Sequence, residues 1–148
     1  DGKTMYILGN RVGLEKISII AFDLVNREIK WKFGHELLKN GPMVDSQGNI
    51  YLLVEDDTSD NTKANFYSLN SGGSIRWKYS HIRGGMYSET DPTIDKEGNI
   101  YFATDTLYAL DYSGKLRWKI NLGMNISSSL ICDADGTVFA PQVTWQRK

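Results

Sequence analysis

The sequence is poor in cysteine, in net charge and in long apolar runs, and each shortage closes off a class of protein. Cys132 is the sole cysteine of 148 residues, which leaves no internal disulfide framework, no multi-cysteine zinc site and no cysteine pair for catalysis or cofactor stacking. The 17 Lys and Arg and 18 Asp and Glu are interspersed, so a net charge of −1 offers no basic footprint and no nucleic-acid partner is expected. No apolar stretch approaches the roughly 18 residues of a spanning helix, so no membrane span is expected. The chain starts at Asp1 without a basic-then-apolar leader, which reads as a mature or trimmed segment. Core material is plentiful: 41% hydrophobic and 11% aromatic residues argue against disorder.

The feature present in abundance is repetition. Tyr-Ser-Leu-Asn-Ser-Gly-Gly-Ser-Ile-Arg-Trp, ending at Trp77, aligns without a gap on Tyr-Ala-Leu-Asp-Tyr-Ser-Gly-Lys-Leu-Arg-Trp, ending at Trp118, and residues 21–31 repeat the phrase with one extra turn residue. Residues 42–51 match residues 92–101, residues 129–139 echo both, and residues 1–6 are a partial fourth copy. Trp31, Trp77 and Trp118 are 46 and 41 residues apart, near the period of about 40 to 50 residues of propeller blades. Ankyrin and tetratricopeptide periods are too short.

Within one period the apolar residues form short runs between turn signals, which predicts strands throughout. In the third repeat these are Thr93-Ile94, Ile100 to Ala103, Leu107 to Leu110 and Leu116 to Ile120, with turns at Asp95-Lys-Glu-Gly98 and Asp111-Tyr-Ser-Gly114. Four antiparallel strands make a blade, and a fully apolar second strand such as Ile50 to Val54 suits a position covered on both faces. The fold class expected is all-β: about three and a half four-stranded blades, an open or partial propeller. Blade one is partial over 1–41, blades two and three cover 42–85 and 86–124, and blade four is partial over 125–148.

The phrase Ala109-x-Asp111-x-x-Gly114-Lys115-x-x-Trp118 resembles the tryptophan-docking motif of pyrroloquinoline-quinone-type (PQQ-like) β-propeller repeats, a WD40-like architecture. Trp31 with Ala21 and Asp23, and Trp77 with Asn70 and Gly73, repeat it, and the resemblance covers essentially the whole chain. Blade one departs with Arg27 and Glu28 in place of Gly and Lys, and blade two with Ser68, Asn70 and Ser74 in place of Ala, Asp and Lys. The resemblance implies that Trp31, Trp77 and Trp118 are structural docking residues packed on the neighbouring blade. An indole so buried contributes about 3 kcal/mol or more, and Trp118→Ala is expected to cost a few kcal/mol. Trp145 falls too soon after Gly136 to be a fourth docking residue. A closed ring needs roughly 160 to 350 residues at this period. Three readings of the open arc follow: a fragment whose missing blades complete the ring, a half-propeller closed by a second copy as a homodimer, or an arc docked on another domain.

Hairpin parity puts the first-to-second and third-to-fourth turns of every blade on one face, and these are tight. The other connections, residues 10–16, 34–41, 55–64, 81–90 and 121–127, are long and irregular, which is where binding loops concentrate on rigid scaffolds and also where insertions are merely tolerated. Candidate interaction residues lie there. Glu55, Asp56 and Asp57 with Asp60 form an acidic run of the hard-oxygen type that could attract a cation or a basic partner, although such a run is more often a solvated loop. His81, Arg83 and Tyr87, with Gly84 and Gly85, form the most chemically varied loop, although no Asp or Ser accompanies His81 at triad-like spacing and His35 occupies the corresponding loop of the preceding repeat. Asp133-x-Asp135-Gly136 reads as a hairpin turn, since the distant Glu of a calcium loop is missing. Asn125-Ile-Ser127 fits a glycosylation pattern that is common by chance, and Cys132 reads as a small packing hydrophobe.

No catalytic residue, cofactor site or metal site is assigned from the sequence. The function expected is a non-catalytic binding or scaffolding module, not an enzyme, taking a protein or small ligand on the irregular-loop face. The family resemblance implies an extracytoplasmic location, periplasmic or at the cell surface. Two alternatives stand beside it. One is a fragment of a quinoprotein dehydrogenase, against which the adjacent cysteine pair and a Glu, Asn and Asp metal set are missing here. The other is a carbohydrate-binding propeller, for which Tyr87 and the acidic run are little support.

Overall fold

The computed structural model describes residues 2–8, 19–34, 41–55, 63–83, 90–123, 126 and 128–141, and every regular element within them is a strand. Strands β1 (Thr4–Leu8), β2 (Ile19–Asp23) and β3 (Glu28–Phe33) form the first sheet. Strands β4 (Met43–Val44), β5 (Ile50–Glu55), β6 (Lys63–Leu69) and β7 (Ile75–Arg83) form the second. The third is β8 (Thr93–Ile94), β9 (Ile100–Ala103), β10 (Thr106–Leu110) and β11 (Leu116–Asn121), and β12 (Ile131–Cys132) with β13 (Val138–Phe139) begins a fourth. Every pairing joins sequence neighbours in antiparallel register, so each sheet is a meander and the molecule is an all-β partial propeller.

Alternation of side chains assigns the two faces of the inner strands β5, β6, β9 and β10 to two different interfaces. On β5, Tyr51 and Leu53 join Phe66, Ile100, Phe102 and Leu110 between the second and third sheets. Ile50, Leu52 and Val54 of the same strand join Ile19, Tyr67 and Leu69 on the first-sheet side, with Trp31 and Phe33 against them. All five residues from Ile50 to Val54 are at most 1% exposed, as a strand covered on both faces requires. Phe66 and Phe102 stack across the second interface with centroids 4.2 Å apart and planes within 8°, and Tyr108 stacks on Phe102 at 4.9 Å. A third cluster joins Tyr101, Ala103, Leu107 and Ala109 to Ile126 and Leu130.

Two boundaries differ from the sequence expectation. Glu55 ends β5, while His81 and Arg83 lie on β7, so these three belong to strands rather than to the loops 55–64 and 81–90. The register explains the extension: Ala64 pairs with Glu55 on one side and Ile82 on the other, and Ala64 and Ile82 are 1% and 0% exposed. Burying that apolar pair keeps the backbone in the ladder past the expected ends.

Candidate functional site

The two ends of the sheets are chemically unlike. At the first end lie the tight turns, where the carboxylate of Asp45 accepts from the backbone N–H groups of Gln47 and Asn49, from Asn49 Nδ2 and from the Tyr51 hydroxyl, all at 2.9 Å. Asp95 repeats the arrangement with Glu97, Asn99 and Tyr101. Burial works against the charge of both carboxylates, but the hydrogen bonds led by the Asn49 and Asn99 side chains outweigh it and hold both below the usual carboxylate range. The phenols move the other way: burial, followed by the accepting Asp95, pushes Tyr101 up to about 12, and burial with Asp45 raises Tyr51. In the third-to-fourth turns Asn70 and Asp111 accept from backbone N–H groups two and four residues on.

These turns also join the sheets. The Trp31 indole donates from Nε1 to the Ser71 carbonyl at 3.0 Å, and Trp77 donates to the Tyr112 carbonyl at 3.1 Å. Each ring lies flat on a turn glycine of the next sheet. A β-carbon on Gly73 would fall 2.6 Å from Trp31 Cδ2, and one on Gly114 would strike the Trp77 ring in the same way. The Tyr112 ring carries the Arg76 guanidinium 4.4 Å from its centroid, and its hydroxyl accepts from Asn49 Nδ2 and donates to Gln47 Oε1. Trp118 differs from its two counterparts. Its ring approaches Tyr101 at 5.8 Å, yet it is 37% exposed and meets no turn among the described residues. The few kcal/mol expected of Trp118→Ala therefore belong to Trp77→Ala.

At the opposite end the register brings the backbone of Glu55, Lys63 and Arg83 together on the second sheet. Asp91, just ahead of β8, ties three repeats at this end. Its Oδ1 accepts from the Gly41 backbone N–H at 2.7 Å, its Oδ2 from the Ser129 hydroxyl at 2.8 Å, and its carbonyl from the Leu130 N–H at 3.4 Å. Gly41, Asp91 and Ser129 hold equivalent places four residues before Asp45, Asp95 and Asp133 in the aligned repeats. Sequence reasoning passed over this strap, although that alignment was its available signal.

The expected interaction residues separate accordingly. The backbones of Glu55, His81 and Arg83 lie at strand ends as above, while Asp56, Asp57, Asp60, Tyr87, His35 and Trp145 lie outside the described residues. Asp133 makes the hairpin turn read from the sequence, its carboxylate accepting from the N–H groups of Asp135 and Thr137. Cys132 is half-buried on β12, its thiol pushed up by burial and by the neighbouring Asp95 and Asp133. Among the described residues no three His, Cys, Asp or Glu side chains gather closely enough to hold a metal ion.

No family model matches the chain, and no curated protein matches it. Among solved structures it is similar to a protein of unknown function from Bacteroides caccae, at 14% identity over 92% of this chain and 64% of that one, with a TM-score of 0.39. It is also similar to BamB from Moraxella catarrhalis, at 12% identity over 88% of this chain and 58% of that one, with a TM-score of 0.43. The chain spans less than two thirds of the length of either.

Proposed function

We propose that this chain is a non-catalytic binding or scaffolding module built of PQQ-like β-propeller repeats, working outside the cytoplasm, and that it takes a protein or small ligand at the irregular end of its sheets. The observation that carries the reading is the contrast between the ends. At the tight-turn end the carboxylates of Asp45, Asp95, Asp111 and Asp133 bond to groups of their own turns and strands. At the other end the connections 9–18, 34–42, 56–62 and 84–92 between successive strands are long, and the Asp91 strap and the strand ends at Glu55, Lys63 and Arg83 give them a fixed base. Variable loops on a rigid frame are the common arrangement of binding surfaces. The repeat assignment is supported by the Trp31 and Trp77 contacts, and the location follows from the family resemblance.

Photocrosslinking in the native cell tests the reading. A photoreactive residue at position 57 or 87 is expected to give adducts of discrete mass, and one at Ser46 or Lys96 on the tight-turn end is not. Adducts from the tight-turn end alone, or from neither end, would overturn the assignment. Alcohol oxidation by the purified chain with added pyrroloquinoline quinone and calcium would overturn its non-catalytic character.

A further inference from the structure

We propose that the seam between the first and second sheets, at its irregular-loop end, is a binding site for an uncharged amide carbonyl carried on a slender apolar body, and that Asn65 is the residue that donates to it. The observation that carries this is a buried donor left unused. Asn65 on β6 is 3% exposed, and its Nδ2 is buried and meets no acceptor among the described residues. The other buried polar side chains described are all bonded. Asn49 and Asn99 donate to Asp45 and Asp95, Ser68 accepts from Arg76, and Thr90 and Thr104 donate to the Ala103 carbonyl and to Asp105. A buried donor without a partner lowers stability, and folded proteins keep few of them.

The repeat itself does not require the amide. In the aligned third repeat Thr106 takes the place of Asn65, and its hydroxyl donates to the neighbouring Asp105 at 2.9 Å. The setting of Asn65 belongs to the second sheet alone. It pairs with Val54 on β5, but the ladder to β7 is broken beside it: Ala64 pairs with Ile82 and Phe66 with Tyr79, so residues 80 and 81 bulge opposite Asn65. Strand alternation puts its side chain on the face of Val54 and Tyr67, which packs against the first sheet. There Phe33 meets Tyr67 edge-on with centroids 5.5 Å apart, and Ile19 pairs with Phe33.

These neighbours select the ligand. Val54, Ile19 and Phe33 bring apolar surface and no polar side-chain atom. A carboxylate seated there would give up its water for one neutral donor, a loss that an uncharged carbonyl largely escapes. An amide oxygen is the strongest acceptor among the common uncharged carbonyls. The same lining is a poor berth for a water molecule, which needs several polar partners. Asn65 is the third residue of β6 from the irregular end, so the ligand enters end-on, with its apolar body against Phe33 and Val54, when the strand ends part locally. The site deepens the binding proposed for the irregular end and rests on that reading for its direction of entry.

The probe for the test is N-acetyl-leucine N-methylamide, titrated into the isotopically labelled full chain and followed by NMR. The Asn65 side-chain amide signals should shift saturably, together with the backbone signals of Val54 and Tyr67. Isovalerate, which sets a carboxylate on a similar body, should bind at least about tenfold more weakly. Asn65→Leu, nearly the same shape, removes the unused donor, so the urea midpoint should hold or rise while probe binding read at Val54 and Tyr67 weakens at least about tenfold. Unmoved Asn65 signals, equal binding of isovalerate, a midpoint lowered by Asn65→Leu, or a long-lived water on Nδ2 that the probe fails to displace each overturns the site. Crosslinks from positions 57 and 87 that persist in Asn65→Leu, with unmoved Asn65 signals in the parent chain, would leave binding at the irregular end standing and remove Asn65 from it.

Discussion

At the scale of single residues, the contact between tryptophan and glycine is the clearest physical device in the molecule. Gly114 and Gly136 share the same backbone conformation, φ 84 and 85, but only Gly114 has an indole above it. Gly136→Ala should therefore cost about 1–2 kcal/mol, the penalty of a side chain in the left-handed region. Gly114→Ala should cost about 1–3 kcal/mol more, because the added methyl must displace the Trp77 ring. Trp77→Ala alone should cost about 2–4 kcal/mol, below the full large-to-small range since the ring is half-buried. In the Trp77→Ala background the extra cost of Gly114→Ala should vanish, a coupling readable from urea midpoints in a double-mutant cycle. Equal costs for Gly114→Ala in both backgrounds would show that the ring does not bear on the turn. Trp118→Ala, at an exposed ring, should stay under about 1 kcal/mol.

At the scale of the element, the first-to-second turns behave as units built around one carboxylate. Asp95→Ala removes the acceptor of four hydrogen bonds, two of them from side chains, and should cost about 2–4 kcal/mol. Asp133→Ala should cost less, because Thr137 and Phe139 stand where Asn99 and Tyr101 do and leave two backbone bonds. The same turns set the pH limits of stability. Asp45 and Asp95 have lowered folded values, so their contribution is present above the unfolded value of about 3.9 and is lost as pH falls through the folded ones. Tyr51 and Tyr101 have raised folded values, so their contribution is complete below about pH 10 and is lost as pH rises, for Tyr101 through about 12. Urea midpoints should hold level from about pH 5 to 9.5 and fall on both sides. Tyr101→Phe should flatten part of the alkaline fall and leave the carboxylate-driven part of the acid fall in place. A variant with an unchanged alkaline flank would remove the phenol from the account.

At the scale of the whole molecule, the repeated order of apolar runs and turn phrases made the meander sheets legible before any coordinate. The four strands of the third sheet fall within a residue of the runs that the sequence marks. What was not legible depends on contacts between repeats. Neither the Asp91 strap nor the Tyr112 clasp on Asn49 and Gln47 can be read from one repeat, since each joins residues 38 to 65 positions apart. The extension of β7 to Arg83 escaped for a related reason: Ile82 is recognisable as a strand residue once Ala64 is known to lie opposite. The same interfaces predict how stability is distributed. β5, β6, β9 and β10 contribute buried residues to a cluster on each face, whereas β1 and β12–β13 leave Met5, Ile131 and Phe139 43% to 60% exposed. Hydrogen exchange should accordingly be slowest in the inner strands of the second and third sheets and fastest in β12, β13 and β1. Phe102 stacks between Phe66 and Tyr108, so Phe102→Ala should cost about 3–5 kcal/mol. Because stacked repeats are stabilised by their neighbours, this substitution should speed exchange in β5 and β6 together with β9 and β10. Acceleration confined to β9 and β10 would mean that the two sheets open independently, and that the aromatic stack is not what joins them.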